Sequence, residues 1–94
     1  MADRLHAIVH GRVQGVSFRH YTVQRARQLN LTGWVRNLPE GTVETVAEGD
    51  PAPLKQFLDF LHDGPTAAHV TQVDVQWQSA SGDFTGFDVR YGYG

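Results

Sequence analysis

The chain has 94 residues, 40% of them hydrophobic, with eight Lys and Arg, ten Asp and Glu, and a formal net charge of −2. That length predicts a single domain over residues 1–94 with one modest core, burying ~60–68% of the unfolded chain's surface. The absence of cysteine excludes disulfides, Cys-based zinc sites and every thiol-nucleophile mechanism.

Leu5 to Gly11 reads as a strand, with Leu5, Ala7 and Val9 alternating against His6, Ile8 and His10. Val13 to Ser17 follows as a turn between Gly11 and Gly15. A helix is predicted from Phe18 to about Asn30, with Ser17 as its N-cap. Leu31 to Leu38 is a second strand, broken at Pro39-Glu40-Gly41 by a hairpin turn. Thr42 to Ala47 then alternates as a third. Asp50-Pro51 opens a second helix with an acid cap and Pro at the first position. Leu54, Phe57, Leu58 and Leu61 form its apolar face, and Gly64-Pro65 ends it. Val70, Val73, Val75 and Trp77 mark a fourth strand, and Phe87 to Tyr91 a short last one after a Ser/Gly turn. The order β-α-β-β-α-β, with one extra short strand, predicts an α+β ferredoxin-like sandwich: a mostly antiparallel sheet with two helices on one face.

The opening MADRLHAIVH carries Asp3 and Arg4 where a signal peptide would build its apolar run. No stretch approaches the ~18 apolar residues of a membrane span. A soluble, cytoplasmic protein without a membrane partner is the expectation. Net charge hides an asymmetry: residues 1–39 carry six Arg against Asp3, or +5, while residues 40–94 sum to −7. Solvated helix faces account for such a surplus, and so does a local anion site. Nucleic acid is not expected, because the chain is acidic overall and lacks an RNP1 run of aromatics and glycine.

The strand–turn–helix unit Gly11-Arg12-Val13-Gln14-Gly15-Val16-Ser17-Phe18-Arg19 is the most informative local feature. A glycine-bearing loop at a helix N-terminus can curl its N–H groups around an anion. It is neither a Walker A loop, lacking the lysine and its spacing, nor a dinucleotide fingerprint, lacking the third glycine. Arg19 in the first turn opposes the helix dipole unless an anion offsets it. His6 and His10 share a strand face but stand ~13 Å apart at ~3.3 Å per residue, too far for one ion. His62 and His69 lie across a helix end and a loop, so no metal is expected. His20 fits the helix surface better than the site. Trp34 and Trp77 are expected to pack in the core or on a sheet face, and Phe18 in the core. Asp83 and Asp88 have no paired carboxylate for glycosidase chemistry.

Val9-His10-Gly11-Arg12-Val13-Gln14-Gly15-Val16-Ser17-Phe18-Arg19 resembles the first motif of the acylphosphatase family, V-x-G-x-V-Q-G-V-x-F-R. Gly33-Trp34-Val35-Arg36-Asn37, with Gly41, Val43 and Gly49, resembles its second. Looser matches at Gly64-Pro65, Ala68 to Val73 and Phe87 to Tyr91 extend the likeness over nearly the whole chain. The Tyr91-Gly92-Tyr93-Gly94 tail departs from the family's usual ending. The resemblance implies the same ferredoxin-like fold and a small, monomeric, cofactor-free hydrolase. Its substrate would be a small acyl phosphate, its products a carboxylate and inorganic phosphate. It implies that Arg19 binds the phosphoryl group and Asn37 positions the attacking water. Backbone N–H groups of Gln14, Gly15, Val16, Ser17, Phe18 and Arg19 would cradle the phosphate, with Thr42 a supporting hydrogen-bond partner of Asn37. A non-catalytic phosphate-binding domain is the alternative, as in related domains of hydrogenase-maturation proteins that handle carbamoyl phosphate.

Overall fold

The computed structural model describes residues 2–91; the Gly92-Tyr93-Gly94 part of the tail lies outside them. Five strands and two helices alternate as β1 (Asp3–Arg12), α1 (Phe18–Gln28), β2 (Thr32–Asn37), β3 (Val43–Gly49), α2 (Pro51–Asp63), β4 (His69–Ser79) and β5 (Phe87–Val89). The sheet order is β4-β1-β3-β2-β5. The first four strands pair antiparallel, and the fifth runs parallel to β2. This is the expected ferredoxin-like sandwich with its extra short strand.

Strand alternation divides the sheet into two faces. Leu5, Ala7 and Val9 of β1, Val35 of β2, and Val43, Thr45 and Ala47 of β3 are all buried on the helix-covered side. Phe18 and Ala26 of α1, and Leu54, Phe57 and Leu61 of α2, close over them. Phe57 meets Phe87 of β5 edge-on, with ring centroids 5.7 Å apart.

The first helix stops two residues earlier than the periodicity predicts. Asn30 adopts φ +58°, its N–H bonds to Arg27 O, and Leu31 N–H reaches back to Ala26 O at 2.9 Å. That is a Schellman stop built on Asn, which tolerates the left-handed region better than most residues. Asp50 takes the N-cap position of α2 but makes no side-chain cap bond. Pro53, at the third helical position, removes one of the two N–H donors that such a cap can use. At Gly11 the β1–β4 register shifts, and φ is +122°, where an added Cβ would run into the His69 carbonyl.

Trp34 packs on the open sheet face, half-buried between the Arg36 and Arg90 guanidinium groups at 5.1 and 4.2 Å. Trp77 departs from expectation and is 52% exposed. It sits near the end of β4, an edge strand with a neighbour on one side only. The histidines of β1 go to separate carboxylates, His6 to Glu44 at 2.7 Å and His10 to Asp74 at 2.8 Å. Among the described residues no three His, Asp or Glu side chains converge, and no helix is long and apolar enough to cross a membrane.

On the same open face, Glu48 is only 4% exposed and holds the crossover between β4 and β5. Its carboxylate accepts from Arg4 Nε at 2.7 Å, from the Ser81 and Gly82 N–H groups at 2.8 and 3.0 Å, and from the Ser81 hydroxyl. Burial pushes this carboxyl up; the Ser81 N–H, Arg4 and Gly82 N–H outweigh it, leaving it below its ordinary 4.5. A lowered folded value means that Glu48 stabilises the fold above its unfolded pKa. That contribution is lost as pH falls through the folded value. Glu48→Gln is therefore expected to cost about 2–3 kcal/mol at pH 7, since Arg4 loses its charged partner. In urea unfolding the gap from the parent protein should shrink markedly by pH 3. An equal gap at both pH values would show that the carboxylate's charge is not what matters.

Candidate active site

Between the end of β1 and the start of α1 the chain turns twice through the left-handed region, at Gly15 (φ +74°) and Ser17 (φ +60°). Glycine takes that conformation freely, whereas Ser17 adopts it at a cost of about 1–2 kcal/mol. Ser17 does occupy the N-cap position, but its side chain makes no cap hydrogen bond. Its left-handed backbone is the reason, because a capping side chain requires an extended N-cap residue. Among the described residues, none of the backbone N–H groups from Gln14 to Arg19 donates a hydrogen bond within the protein. A helix N-terminus and a left-handed loop thus present a row of free donors on the positive end of the α1 dipole. No acid stands in the first turn of α1 to occupy them.

Arg19 is half-buried in that first turn. The ion pairs among the described residues leave its guanidinium without a carboxylate. Its neighbour is instead the Tyr91 ring, 5.6 Å from the guanidinium carbon. Phe18 is buried in the core, 6.2 Å from the Phe60 ring, and so anchors the start of the helix.

Asn37 arrives from the other side of the sheet's rim. It is the last residue of β2, paired with Val43 and on the helix-covered face, while Arg36 points to the open face and binds Glu44 at 2.7 Å. The Asn37 Oδ1 is buried and has no hydrogen-bond partner among the described residues. An unpaired buried acceptor costs about 1–3 kcal/mol, and such groups usually mark a binding or catalytic role. The hairpin after it closes with Gly41 N–H on Leu38 O at 3.1 Å.

One side chain ties the two halves together. Gln14 donates from Nε2 to Leu38 O and to Thr42 O, both at 2.8 Å. The loop before α1 is thereby stapled to the hairpin that carries Asn37. Nothing in the sequence pattern distinguished this side-chain role of Gln14 from that of a backbone donor. Thr42, buried and 7% exposed, turns its hydroxyl to Glu40 at 3.1 Å and makes no bond to Asn37.

The result is a single cavity of about 540 Å³ lined by Gly15, Ser17, Phe18, Arg19 and Asn37, with Val23, Val89 and Tyr91 along the rest of its wall. Arg27 and the exposed His20 also reach it. Among the described residues, no carboxylate lines it. Val16 stands on the other side of the loop, in a separate groove with Arg12 and Tyr21. The arrangement can hold a compact anion by charge and N–H dipoles, with one uncommitted acceptor beside it. Val23, Val89 and Tyr91 were not singled out as site residues in the sequence, because apolar residues at helical or strand spacing read as core.

A family model described as acylphosphatase matches residues 5–89. An acylphosphatase of Marinobacter nauticus is 52% identical over 89 residues, covering 95% of this chain and 97% of that one. One from Thermococcus kodakarensis is 49% identical, covering 92% and 93%. The crystal structure of the Bacillus subtilis acylphosphatase superposes with a TM-score of 0.91 at 34% identity, covering 95% of this chain and 99% of that one. Matched over nearly its whole length by a family model, curated relatives and solved structures alike, the chain belongs to the acylphosphatase family of hydrolases.

Proposed function

We propose that residues 1–94 form one acylphosphatase domain that hydrolyses acyl phosphates by direct attack of water, with no metal or other cofactor. The observation that carries this reading is that the buried Asn37 Oδ1 shares a cavity with the Arg19 guanidinium and the loop N–H groups, all of them without partners among the described residues. The phosphoryl group lies against Arg19, cradled by the N–H groups of Gln14, Gly15, Val16, Ser17, Phe18 and Arg19. Asn37 Oδ1 accepts a hydrogen bond from the water and aims its lone pair at phosphorus. Asn37 is held there through Gln14 and the hairpin. Thr42 supports it through its carbonyl contact with Gln14 rather than through its hydroxyl.

The water oxygen bonds to phosphorus as the phosphorus–acyl oxygen bond breaks. The carboxylate leaves with the bonding pair, and the water's proton passes to a phosphoryl oxygen, giving inorganic phosphate. A carboxylate whose conjugate acid has pKa ~4 needs no general acid to depart. Phosphoryl transfer through a loose transition state needs mainly positioning and stabilisation of charge on the equatorial oxygens. Arg19 and the loop dipoles supply both. An acidic chain whose candidate site is a small cavity suits a cytoplasmic monomer acting on a small molecule, without a nucleic acid or membrane partner.

The test is hydrolysis of benzoyl phosphate with and without EDTA, beside p-nitrophenyl phosphate. Rapid cleavage of the anhydride, unchanged by EDTA and with little cleavage of the monoester, is the expected result. Loss of activity in EDTA would overturn the metal-free mechanism. A folded protein that binds phosphate without turnover would leave a binding domain instead.

A further inference from the structure

Resting on that reading, we propose that Val23, Val89 and Tyr91 form the subsite for the acyl end of the substrate, and that it selects apolar, ring-bearing acyl phosphates over acetyl phosphate. A cavity of about 540 Å³ is far larger than a phosphoryl group needs. At ~30 Å³ per water it has room for ~18 waters, whereas the transferred group is one phosphorus and three oxygens. The rest of the wall sets the apolar surfaces of Val23, Val89 and Tyr91 beside His20 and Arg27. Val23 stands one helical turn beyond Arg19, on the same face of α1. Val89 comes from β5, and Tyr91 follows it two residues on.

These walls are held in place. Arg27 of α1 donates to Phe87 O at 3.1 Å and to Asp88 at 2.9 Å, clamping the helix to β5. Arg90 N–H continues the pairing with Val35 O at 2.8 Å, which carries the chain past Val89 to Tyr91. The Tyr91 ring then stands 5.6 Å from the Arg19 guanidinium although it is 80% exposed. An exposed aromatic ring beside the phosphate-binding cation offers an acyl group apolar surface at the point where it joins the phosphoryl end. No carboxylate stands among the described lining residues, and the cation there, Arg27, is already committed to Phe87 O and Asp88, so what the subsite offers an acyl tail is mainly shape and apolar area.

Non-hydrolysable phosphonates test this by calorimetry, independently of turnover. The wild-type chain should bind benzylphosphonate about tenfold more tightly than methylphosphonate. Tyr91→Ala, an exposed position with little bearing on folding, should lower that ratio about fivefold. Methylphosphonate affinity should stay within about twofold, because its contacts are all at the phosphate end. Val89→Thr, which keeps the branched outline but places a hydroxyl on the wall, should lower the ratio in the same direction. A wild-type ratio near one, or a ratio unmoved by both variants, would overturn the subsite. If the ratio behaves as expected but benzoyl phosphate is not hydrolysed, the subsite stands and the hydrolase reading falls. If benzoyl phosphate is cleaved and the ratio is flat, the reverse holds.

Discussion

Arg19→Ala is expected to lower kcat/KM for benzoyl phosphate by about 10³–10⁵, the range in which a phosphoryl-binding arginine operates. Affinity for inorganic phosphate should fall with it, because the guanidinium holds ground state and transition state alike. The fold should be indifferent to the change. Arg19 has no carboxylate partner among the described residues, so its removal strands no acid. A cation in the first turn of α1 opposes the helix dipole, and deleting it stabilises the helix by a few tenths of a kcal/mol. An unchanged Tm beside lost turnover and lost phosphate binding is therefore the signature. Near wild-type hydrolysis by Arg19→Ala would mean that the N–H cradle works alone and that the arginine is misassigned.

Asn37→Ala should separate what Arg19→Ala loses together. Its kcat should drop by about 10²–10³, the usual effect of removing one orienting or charge-stabilising group. Phosphate should still bind within about threefold, because the donors that hold it lie on the other element. The variant should also be no less stable than the parent, and up to about 1–3 kcal/mol more stable, because the buried Oδ1 has no partner to lose. A gain in stability at the expense of activity is common where a polar atom is kept for chemistry. If phosphate affinity fell as far as kcat, Asn37 would be a phosphate ligand and the water would need another guide.

Much of this was legible in one dimension. Alternation of Leu5, Ala7 and Val9 marked the buried face of β1, and the i, i+3, i+4, i+7 spacing of Leu54, Phe57, Leu58 and Leu61 marked the core side of α2. Both are properties of neighbours along the chain, set by the periods of strand and helix. Cap mechanisms read less well. Ser17 and Asp50 occupy the cap positions that their residue types suggest, yet neither caps with its side chain. One is turned into the left-handed region by the loop, and the other meets a proline at one of its two donor positions. Trp77 failed for a different reason: alternation shows which face a residue takes, not whether anything covers that part of the sheet.

The element order, the family and the two motifs in which Arg19 and Asn37 stand are legible along the chain, since each is a local pattern of residue types. The tertiary structure is what brings these two residues into one cavity, because they sit on elements joined through the sheet order β4-β1-β3-β2-β5 and by the side chain of Gln14. It alone left Asn37 Oδ1 without a partner, set Glu48 beneath the crossover to β5, and brought Tyr91 to Arg19. Each of those contacts joins residues far apart in the chain, so what makes it is the geometry of packed elements, which no window along the sequence contains.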